Sequence, residues 1–342
     1  GVQSNRIINK NDDPYPAIRS TLKALNQKNP YYPPLHVQSA KFAQLQKKYK
    51  IMKIYLERAL AYSRSKYNNG NYFAALHLLG DYYYYINKPV KSYTYLKKAI
   101  KSIGNQPRFV RNDFYKETEK IGATYTLIGN IFYYYFDKEK NRFGNIDEEL
   151  AGKDRDRIDS YAIARRYYEN AVKSKFKSPE LFYNLGRIYY VNKEYKDALS
   201  SWLHLYDDFV QHPELMYSLG NAYYHINKYS AAKGEYLKLI SIFEHTAEQI
   251  TEARETNEKH IKLFTSLASV YNNLGAIYQQ ENNEAKSHIC YWKAVDYAKR
   301  INKENEFARV NLARSFKKRR KPEKPILDDN IPFSIKSYKK RK

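Results

Sequence analysis

The side chains that most often carry out chemistry are present in this chain, but they are not spaced as catalysis or metal binding requires. The eight histidines are scattered, and no two of them stand at the spacing of metal ligands. Asp154 and Asp156 lie in a charged stretch, where paired carboxylates are far more often solvated than catalytic. The sequence has no glycine-rich phosphate loop and no nucleophile elbow. We therefore expect no catalytic residue, no metal site and no cofactor.

The single cysteine, Cys290, cannot form an intrachain disulfide or a multi-cysteine zinc site. It stands among apolar and aromatic residues, so we predict a buried, unreactive thiol. No stretch approaches the roughly 18 uninterrupted apolar residues of a membrane-spanning helix. Hydrophobic residues make up 43% of the chain, which is enough for a core, and only 12 Gly and 12 Pro argue against a long all-β protein.

The charge and the aromatic content are both unusual. Lys and Arg number 60 against 36 Asp and Glu, and 37 residues are tyrosine. A net charge of +24 is typical of chains that bind nucleic acid, an anionic membrane or an acidic protein. Codon bias is the other explanation, because Lys, Asn, Ile and Tyr all have A/T-rich codons. We favour codon bias for the overall charge, so that only local clusters of charge indicate a partner.

A short pattern recurs five times and predicts the elements of the fold. Each copy reads aliphatic residue, Gly, two variable residues and an aromatic residue. In four copies a small residue, a large residue and an Ala or Leu follow the glycine after 12, 16 and 19 residues; in the second copy an insertion separates the two parts. The five glycines are Gly80, Gly129, Gly186, Gly220 and Gly275.

Steps of three and four residues place these positions on one face of a helix, so each copy predicts two helices joined by a short turn. A glycine within a helix costs about 1 kcal/mol relative to alanine. That cost is explained where two helices cross too closely for a side chain. The small residue of the second helix is predicted to serve the same contact, and the large residue to fill the space between neighbouring pairs.

These repeats resemble the tetratricopeptide repeat family, whose 34-residue consensus has Trp, Leu, Gly and Tyr on its first helix and Ala, Phe, Ala and Pro on its second. Gly186 and Gly220 are 34 residues apart, and the resemblance covers roughly residues 73–300. It implies an all-α fold, an α-solenoid of about five helix-turn-helix repeats with flanking capping helices. It also implies a non-catalytic protein–protein interaction scaffold rather than an enzyme.

The flanks of the repeats are predicted to differ from them. Residues 1–36 contain five prolines and are expected to form an irregular arm with one short helix near residues 17–26. Residues 37–72 are expected to hold a single long capping helix, over 37–67. Residues 317–342 form a basic, proline-containing tail. One interpretation is a functional segment, either a nuclear import signal or an anchor to an anionic surface, and the other is a solvated end. We favour the solvated end.

The repeat region is predicted to span residues 73–316. Residues 137–158 are highly charged and contain two glycines, so we expect an exposed loop inserted in the second repeat. Residues 240–262 contain no Pro or Gly after the fourth repeat and are expected to extend its second helix. Residues 302–316 are expected to form a terminal, solvating helix.

The resemblance also implies a site. In stacked tetratricopeptide repeats the first helices line a concave groove. Two positions of each first helix face this groove: the residue after the aliphatic–Gly pair and the residue after the consensus Tyr. Tyrosine gives a large contact area and a hydroxyl group. The alternative is that these residues pack between the repeats of a Tyr-rich chain; we favour the groove. The candidate partner-binding residues are Tyr84, Asn130, Tyr133, Tyr183, Arg187, Tyr190, Tyr217, Asn221 and Tyr224.

Two other binding modes are less favoured. A carboxylate clamp for the acidic C-termini of chaperones, found in part of the family, would need Lys and Arg where this chain has Thr126, Glu214 and Ser218. The alternative function is RNA or other nucleic-acid binding through the basic surface and the tail. It ranks second because the groove positions vary between repeats. A membrane contact is expected only through the tail.

In its amino-acid composition, which is rich in Lys, Asn, Ile and Tyr, the chain is also similar to spirochaete tetratricopeptide proteins that form a periplasmic collar around the flagellar motor. We therefore expect a protein partner, either a peptide or helix in the groove or another scaffold subunit, in assembly of such a collar for flagellar motility. The chain begins without Met and without an apolar signal region, which either a removed leader or a trimmed sequence would explain. The periplasm is the expected compartment, with the cytoplasm as the alternative.

Overall fold

The structure is a computed structural model, and it describes residues 16–63, 69–104, 114–136, 159–206, 212–252, 258–316 and 324–329. Within these ranges the chain forms fourteen α-helices and no strand, which confirms the all-α class. None of the helices described is long and apolar enough to cross a membrane. The internal contacts divide the chain into two compact units, residues 1–177 and residues 178–342.

The first unit contains seven helices in its described residues. Consecutive helices from the second to the seventh pack in chain order, as in an α-solenoid. The fourth and fifth form the first predicted repeat, and the sixth and seventh form the second. The helices are α1 (Pro16–Lys28), α2 (Pro33–Leu45), α3 (Tyr49–Tyr62), α4 (Asn69–Tyr85), α5 (Pro89–Gly104), α6 (Phe114–Tyr134) and α7 (Ser160–Lys173).

The single capping helix predicted over residues 37–67 is wrong, because α2 and α3 form a packed pair there. The chain turns at Lys47, whose φ of 57° ends α2. Ala40 of α2 occupies the position of the repeat glycine, and Met52, Leu56 and Ala59 of α3 reproduce the spacing of the second helix. All four side chains are fully buried. Helices α2 and α3 are therefore a sixth pair of the same type. The sequence pattern did not identify this pair because alanine stands where the other pairs have glycine.

The structure describes only some of the other residues of the first unit that the sequence predictions concern. Helix α1 (Pro16–Lys28) lies where the short helix near residues 17–26 is expected. Residues 1–15 of the arm and the insertion at residues 137–158 lie outside the described residues.

The second unit also contains seven described helices, which pack in chain order. They are α8 (Pro179–Val191), α9 (Tyr195–Leu203), α10 (Pro213–His225), α11 (Tyr229–Glu252), α12 (Glu258–Gln280), α13 (Glu284–Lys299) and α14 (Glu306–Ser315). The pairs α8–α9, α10–α11 and α12–α13 are the third, fourth and fifth predicted repeats. Helix α14 lies within residues 302–316, where the terminal helix is expected. The extended helix predicted over residues 240–262 is correct as far as Glu252 and wrong from Glu258 onward, where α12 begins.

The repeat glycines permit close contact between the two helices of one pair. A Cβ atom on Gly186 would lie 2.4 Å from Trp202 Nε1, and one on Gly220 would lie 2.5 Å from Tyr236 Cε1. The group that fills this space is therefore the large residue of the second helix, which the sequence predicted to lie between neighbouring pairs. Both rings are fully buried. This contact fixes each pair and so sets where the side chains of the first helix point. In the first repeat the small residue also contacts the glycine, because the Ser92 hydroxyl donates to the Gly80 carbonyl at 2.7 Å.

Proline starts two of the first helices in the second unit. Pro179 and Pro213 occupy the first turns of α8 and α10, where a missing N–H costs nothing. The Ser178 hydroxyl caps α8 by accepting from the Leu181 N–H at 3.2 Å. Seven residues after the repeat glycines, Lys193, Asn227 and Asn282 all adopt a φ near 60°, as helix-ending residues do.

Candidate functional site

Part of the predicted solvated tail is not solvated. Residues 324–329, which we call the C-terminal segment, lie against the first helices of the repeats in the second unit. Only 8% of Leu327 and 6% of Asp328 are exposed to solvent. We call the surface that the segment covers the groove. Tyr190 of α8 and His225 of α10 form its Asp329 end. The rest consists of one tyrosine, one serine and four asparagines: Tyr217 and Asn221 of α10, Ser269, Asn272 and Asn273 of α12, and Asn311 of α14.

Asn273 contacts both polar groups of one residue in the segment. Its Oδ1 accepts a hydrogen bond from the Asp328 N–H at 2.7 Å, and its Nδ2 donates to the Asp328 carbonyl at 3.0 Å. Because the peptide supplies one donor and one acceptor, only one orientation of the side-chain amide satisfies both bonds. Asn273 is fully buried with the segment in place, so the segment supplies its hydrogen-bond partners in place of water.

Asn311 makes the same pair of bonds two residues earlier. Its Oδ1 accepts from the Ile326 N–H at 2.9 Å, and its Nδ2 donates to the Ile326 carbonyl at 2.8 Å. Asn272 adds a second donor to that carbonyl at 3.1 Å. Residues Ile326 and Asp328 thus present their backbone to the groove alternately, as an extended strand does.

The Asp328 carbonyl is the most densely bonded atom of the segment. Besides Asn273, it accepts from the Tyr217 hydroxyl at 2.7 Å and from Asn221 Nδ2 at 3.3 Å. Asn221 is held in turn by Tyr236, whose hydroxyl donates to Asn221 Oδ1 at 2.5 Å. The large residue of the fourth repeat therefore fixes the orientation of a groove amide.

The carboxylates of the segment have their own donors. Ser269 donates its hydroxyl to Asp328 Oδ2 at 2.6 Å. Asp329 Oδ1 accepts from the Tyr190 hydroxyl and lies 3.1 Å from His225 Nε2. Burial, and next the Asp329 carboxylate, raise the pKa of Tyr190 well above its usual range, so its hydroxyl keeps its proton and donates.

A cavity of about 250 Å³ opens beside Asp329. Arg187 and Lys193 line it together with Tyr190 and Tyr195. Two cations and the donors on Asp329 make this end of the groove suitable for negative charge.

The predicted site residues of the second unit fall into two groups. Tyr190, Tyr217 and Asn221 contact the segment directly, and Arg187 lines the cavity beside it. Tyr183 is instead buried against Trp202, which donates Nε1 to the Tyr183 carbonyl at 3.2 Å. Tyr224 is 3% exposed, and its ring packs on Tyr229 and His225.

The predicted site residues of the first unit are placed as follows. Asn130 is fully buried and accepts from the Tyr168 hydroxyl at 2.7 Å, which is the same couple that Asn221 makes with Tyr236. The Tyr84 ring lies edge-on to Tyr135 with 5.8 Å between centroids. Tyr133 makes similar contacts with Tyr134 and Tyr161. A partner-binding role for these three residues stays a prediction.

Sequence reasoning missed most of the asparagines. Asn273 stands directly before the Leu–Gly pair of the fifth repeat, as Asn184 does in the third, so this position could have been included. Asn311 lies in the terminal helix, outside the repeats, and no spacing indicates it. Ser269 and His225 were likewise not singled out. In the described ranges no three His, Cys, Asp or Glu side chains meet as a metal ion would require.

Comparison with known proteins gives structural neighbours only. No protein-family model matches the chain, and no curated protein does. The C-terminal part of a TPR repeat-containing protein from Cytophaga hutchinsonii is 17% identical, with 86% of this chain and 92% of that chain covered and a TM-score of 0.43.

Two further solved structures are similar to this chain in the same way. YrrB, described as a TPR protein with an unusual peptide-binding site, is 13% identical over 85% of this chain and 97% of its own, with a TM-score of 0.38. The pilF protein of Pseudomonas aeruginosa is 12% identical over 79% and 91%, with a TM-score of 0.41. Because these scores lie below 0.5, the tetratricopeptide-type fold rests on the repeat geometry of the chain itself.

Proposed function

We propose that this chain is a non-catalytic interaction scaffold whose groove binds an extended segment of a protein. The observation that carries the proposal is the pair of amide contacts, Asn273 with Asp328 and Asn311 with Ile326. Each amide bonds the N–H and the C=O of one residue, and almost every residue of any protein offers both groups. The groove therefore recognises backbone conformation first and side chains second.

The same contacts favour a peptide over a nucleic acid. Asn273 Oδ1 and Asn311 Oδ1 both accept hydrogen bonds from the segment. A phosphate backbone offers acceptors only, so these oxygens would face another acceptor. These two contacts thus fit a polypeptide backbone better than a phosphate backbone.

Groove side chains are also held by hydrogen bonds to the repeats themselves, and not only by the segment. Asn221 is fixed by Tyr236, and Asn311 Nδ2 donates to Asn272 Oδ1 at 3.0 Å. These side chains lie on helices, and Asn272 and Asn273 are fully buried in the occupied state. A preorganised amide loses little entropy on binding, which favours affinity.

The test uses the full chain with Ile326→Pro and Asp328→Pro, which removes both N–H donors of the segment and so opens the groove. Selection from a random peptide library should return peptides that bind this variant with measurable affinity by fluorescence anisotropy. Adding Asn273→Ala should lower the affinity of the selected peptides by at least about tenfold, because one peptide residue then loses the hydrogen bonds to both its N–H and its C=O. The control Asn192→Ala makes the same change at an exposed position and should leave binding unchanged. If no peptide is selected, or if Asn273→Ala has no effect, the proposal is wrong.

The resemblance to spirochaete proteins adds a finer proposal, that the scaffold acts in assembly of a flagellar motor collar in the periplasm. Its support is compositional style alone. Crosslinking in the native cell followed by mass spectrometry tests it. Crosslinks to motor components are expected, and crosslinks confined to cytoplasmic proteins would contradict it.

A further inference from the structure

We propose that the partner segment is acidic, and that the C-terminal segment of this chain competes with it for the groove. This inference rests on the proposed function, because it names the ligand class and the regulation of the same site. In the structure the groove is filled by Ile326, Leu327, Asp328 and Asp329 of the chain itself.

The acidic preference follows from the groups that face the two carboxylates. Asp328 Oδ2 accepts from Ser269, and Asp329 accepts from Tyr190 and lies against His225. Hydrogen bonds to an ionised acceptor are roughly twice as strong as neutral ones. A neutral ligand would forgo that gain at both positions.

The charge around the groove points in the same direction. Arg187 and Lys193 line the cavity next to Asp329. Lys303 lines a second cavity, of about 220 Å³, beside Asp328. Glu304 and Glu306 line that second cavity as well and offset Lys303. The excess of positive charge is therefore at the Asp329 end of the groove, where Arg187 and Lys193 favour a negatively charged ligand.

An aliphatic residue before the acids completes the ligand. Leu327 is 8% exposed and belongs to the apolar core formed with α10–α14. Burial of a leucine side chain against an apolar core stabilises a complex through the hydrophobic effect. The partner segment is thus expected to carry an aliphatic residue directly before two acidic residues.

Competition follows from the short connection. Only residues 316–323 separate the end of α14 from the segment. A short linker gives an effective concentration on the order of 1 mM. For a ligand with an intrinsic Kd of about 10 μM, an intramolecular copy of equal affinity raises the apparent Kd roughly 100-fold. A partner therefore has to displace the segment or bind more tightly than it.

The experiment measures binding of one probe, a fluorescein-labelled peptide with the sequence of residues 322–330 (PEKPILDDN), to full-length proteins. The variant with Ile326→Pro and Asp328→Pro keeps Leu327 but loses both N–H donors to the groove. It should bind the probe roughly 100-fold more tightly than the unchanged chain does. The control Lys324→Pro changes an exposed residue of the same segment and should behave as the unchanged chain.

A second probe tests the acidic preference. The same peptide with both aspartates replaced by asparagine should bind the opened variant at least about tenfold more weakly than the acidic probe. A full-length variant with Asp328→Asn and Asp329→Asn keeps every backbone hydrogen bond of the segment. It should bind the acidic probe with higher affinity than the unchanged chain does. Circular dichroism checks that each variant is helical.

The outcomes separate the two proposals. Equal probe affinity for the opened variant and the unchanged chain overturns competition, and equal affinity of the acidic and amide probes overturns the acidic preference. Failure of the opened variant to bind either probe, while it remains helical, overturns the proposed function as well. Sedimentation of the unchanged chain as a dimer, with the opened variant as a monomer, would place the segment in a second copy and overturn its intramolecular role.

Discussion

Tyr236 donates its hydroxyl to Asn221 across the fourth repeat, at 2.5 Å, and this bond links the packing of the repeat to the groove. The Tyr236 ring fills the space above Gly220, and its hydroxyl reaches the first helix beyond it. Asn221 then donates to the Asp328 carbonyl. The second repeat contains the same couple, Tyr168 with Asn130. The large residue thus serves both as a core side chain and as the support of a polar side chain on the first helix.

The first prediction tests this link. Tyr236→Phe removes the hydroxyl that orients Asn221 and should weaken the hold of the groove on the segment by about 1 kcal/mol. Amide hydrogen exchange at Asp328 should accelerate several-fold, as measured by NMR or mass spectrometry. Tyr291→Phe is the matched control, because Tyr291 occupies the same repeat position but donates to Gln279. If both variants change exchange at Asp328 equally, the effect is one of general stability and the link is wrong.

The repeat fold could be predicted from the sequence because its defining contact is local. The glycine and the large residue that covers it are 16 positions apart in the first, third, fourth and fifth repeats. The pattern failed for α2 and α3, where Ala40 leaves the same packing without the glycine signal. It also failed near Glu258, because a charged stretch without Pro or Gly has no visible helix end.

The second prediction concerns that contact. Gly186→Ala would place a Cβ atom 2.4 Å from Trp202 Nε1, and overpacking of this kind costs typically 1–3 kcal/mol. Gly234→Ala is the control: it lies in helix α11 with nothing within 4 Å of the new Cβ, and it should raise the free energy of unfolding by up to about 1 kcal/mol. Urea unfolding followed by circular dichroism measures both. A stable Gly186→Ala protein would show that the ring can move aside.

The site was less predictable than the fold. Tyr217 and Asn221 follow from the repeat positions, because any first helix turns those positions toward the groove. The occupant does not follow, since Asp328 is 107 residues from Asn221 and its segment has no periodic pattern. The basic residues around it suggested a solvated tail, whereas the two aliphatic side chains and the backbone bonds determine its position.

The third prediction is a pH dependence of stability. Burial raises the pKa of Glu214 to about 7, against the opposing attraction of Arg187. An acid with a raised pKa binds its proton more tightly in the folded state, so stability should fall as the pH rises from about 4.5 to 7. The loss is on the order of 2 kcal/mol. In Glu214→Gln this component should disappear from urea unfolding curves measured between pH 4.5 and 8, whereas the exposed control Glu284→Gln should keep it. An unchanged pH profile in Glu214→Gln would contradict the assignment.

The fourth prediction concerns Cys290, which is 5% exposed, as the sequence led us to expect. Burial raises the pKa of its thiol to about 12, although Lys293 and Lys286 oppose the shift. Because the thiolate is the reactive form, labelling by a disulfide reagent at pH 8 should be roughly a thousandfold slower in the folded protein than in urea. Val191→Cys in a Cys290→Ala background provides an exposed thiol on α8, where Val191 is 67% exposed, and should react within seconds. Labelling of native Cys290 as fast as that control would show that α13 opens readily, and the rate of the slow reaction should otherwise report the opening of the fifth repeat.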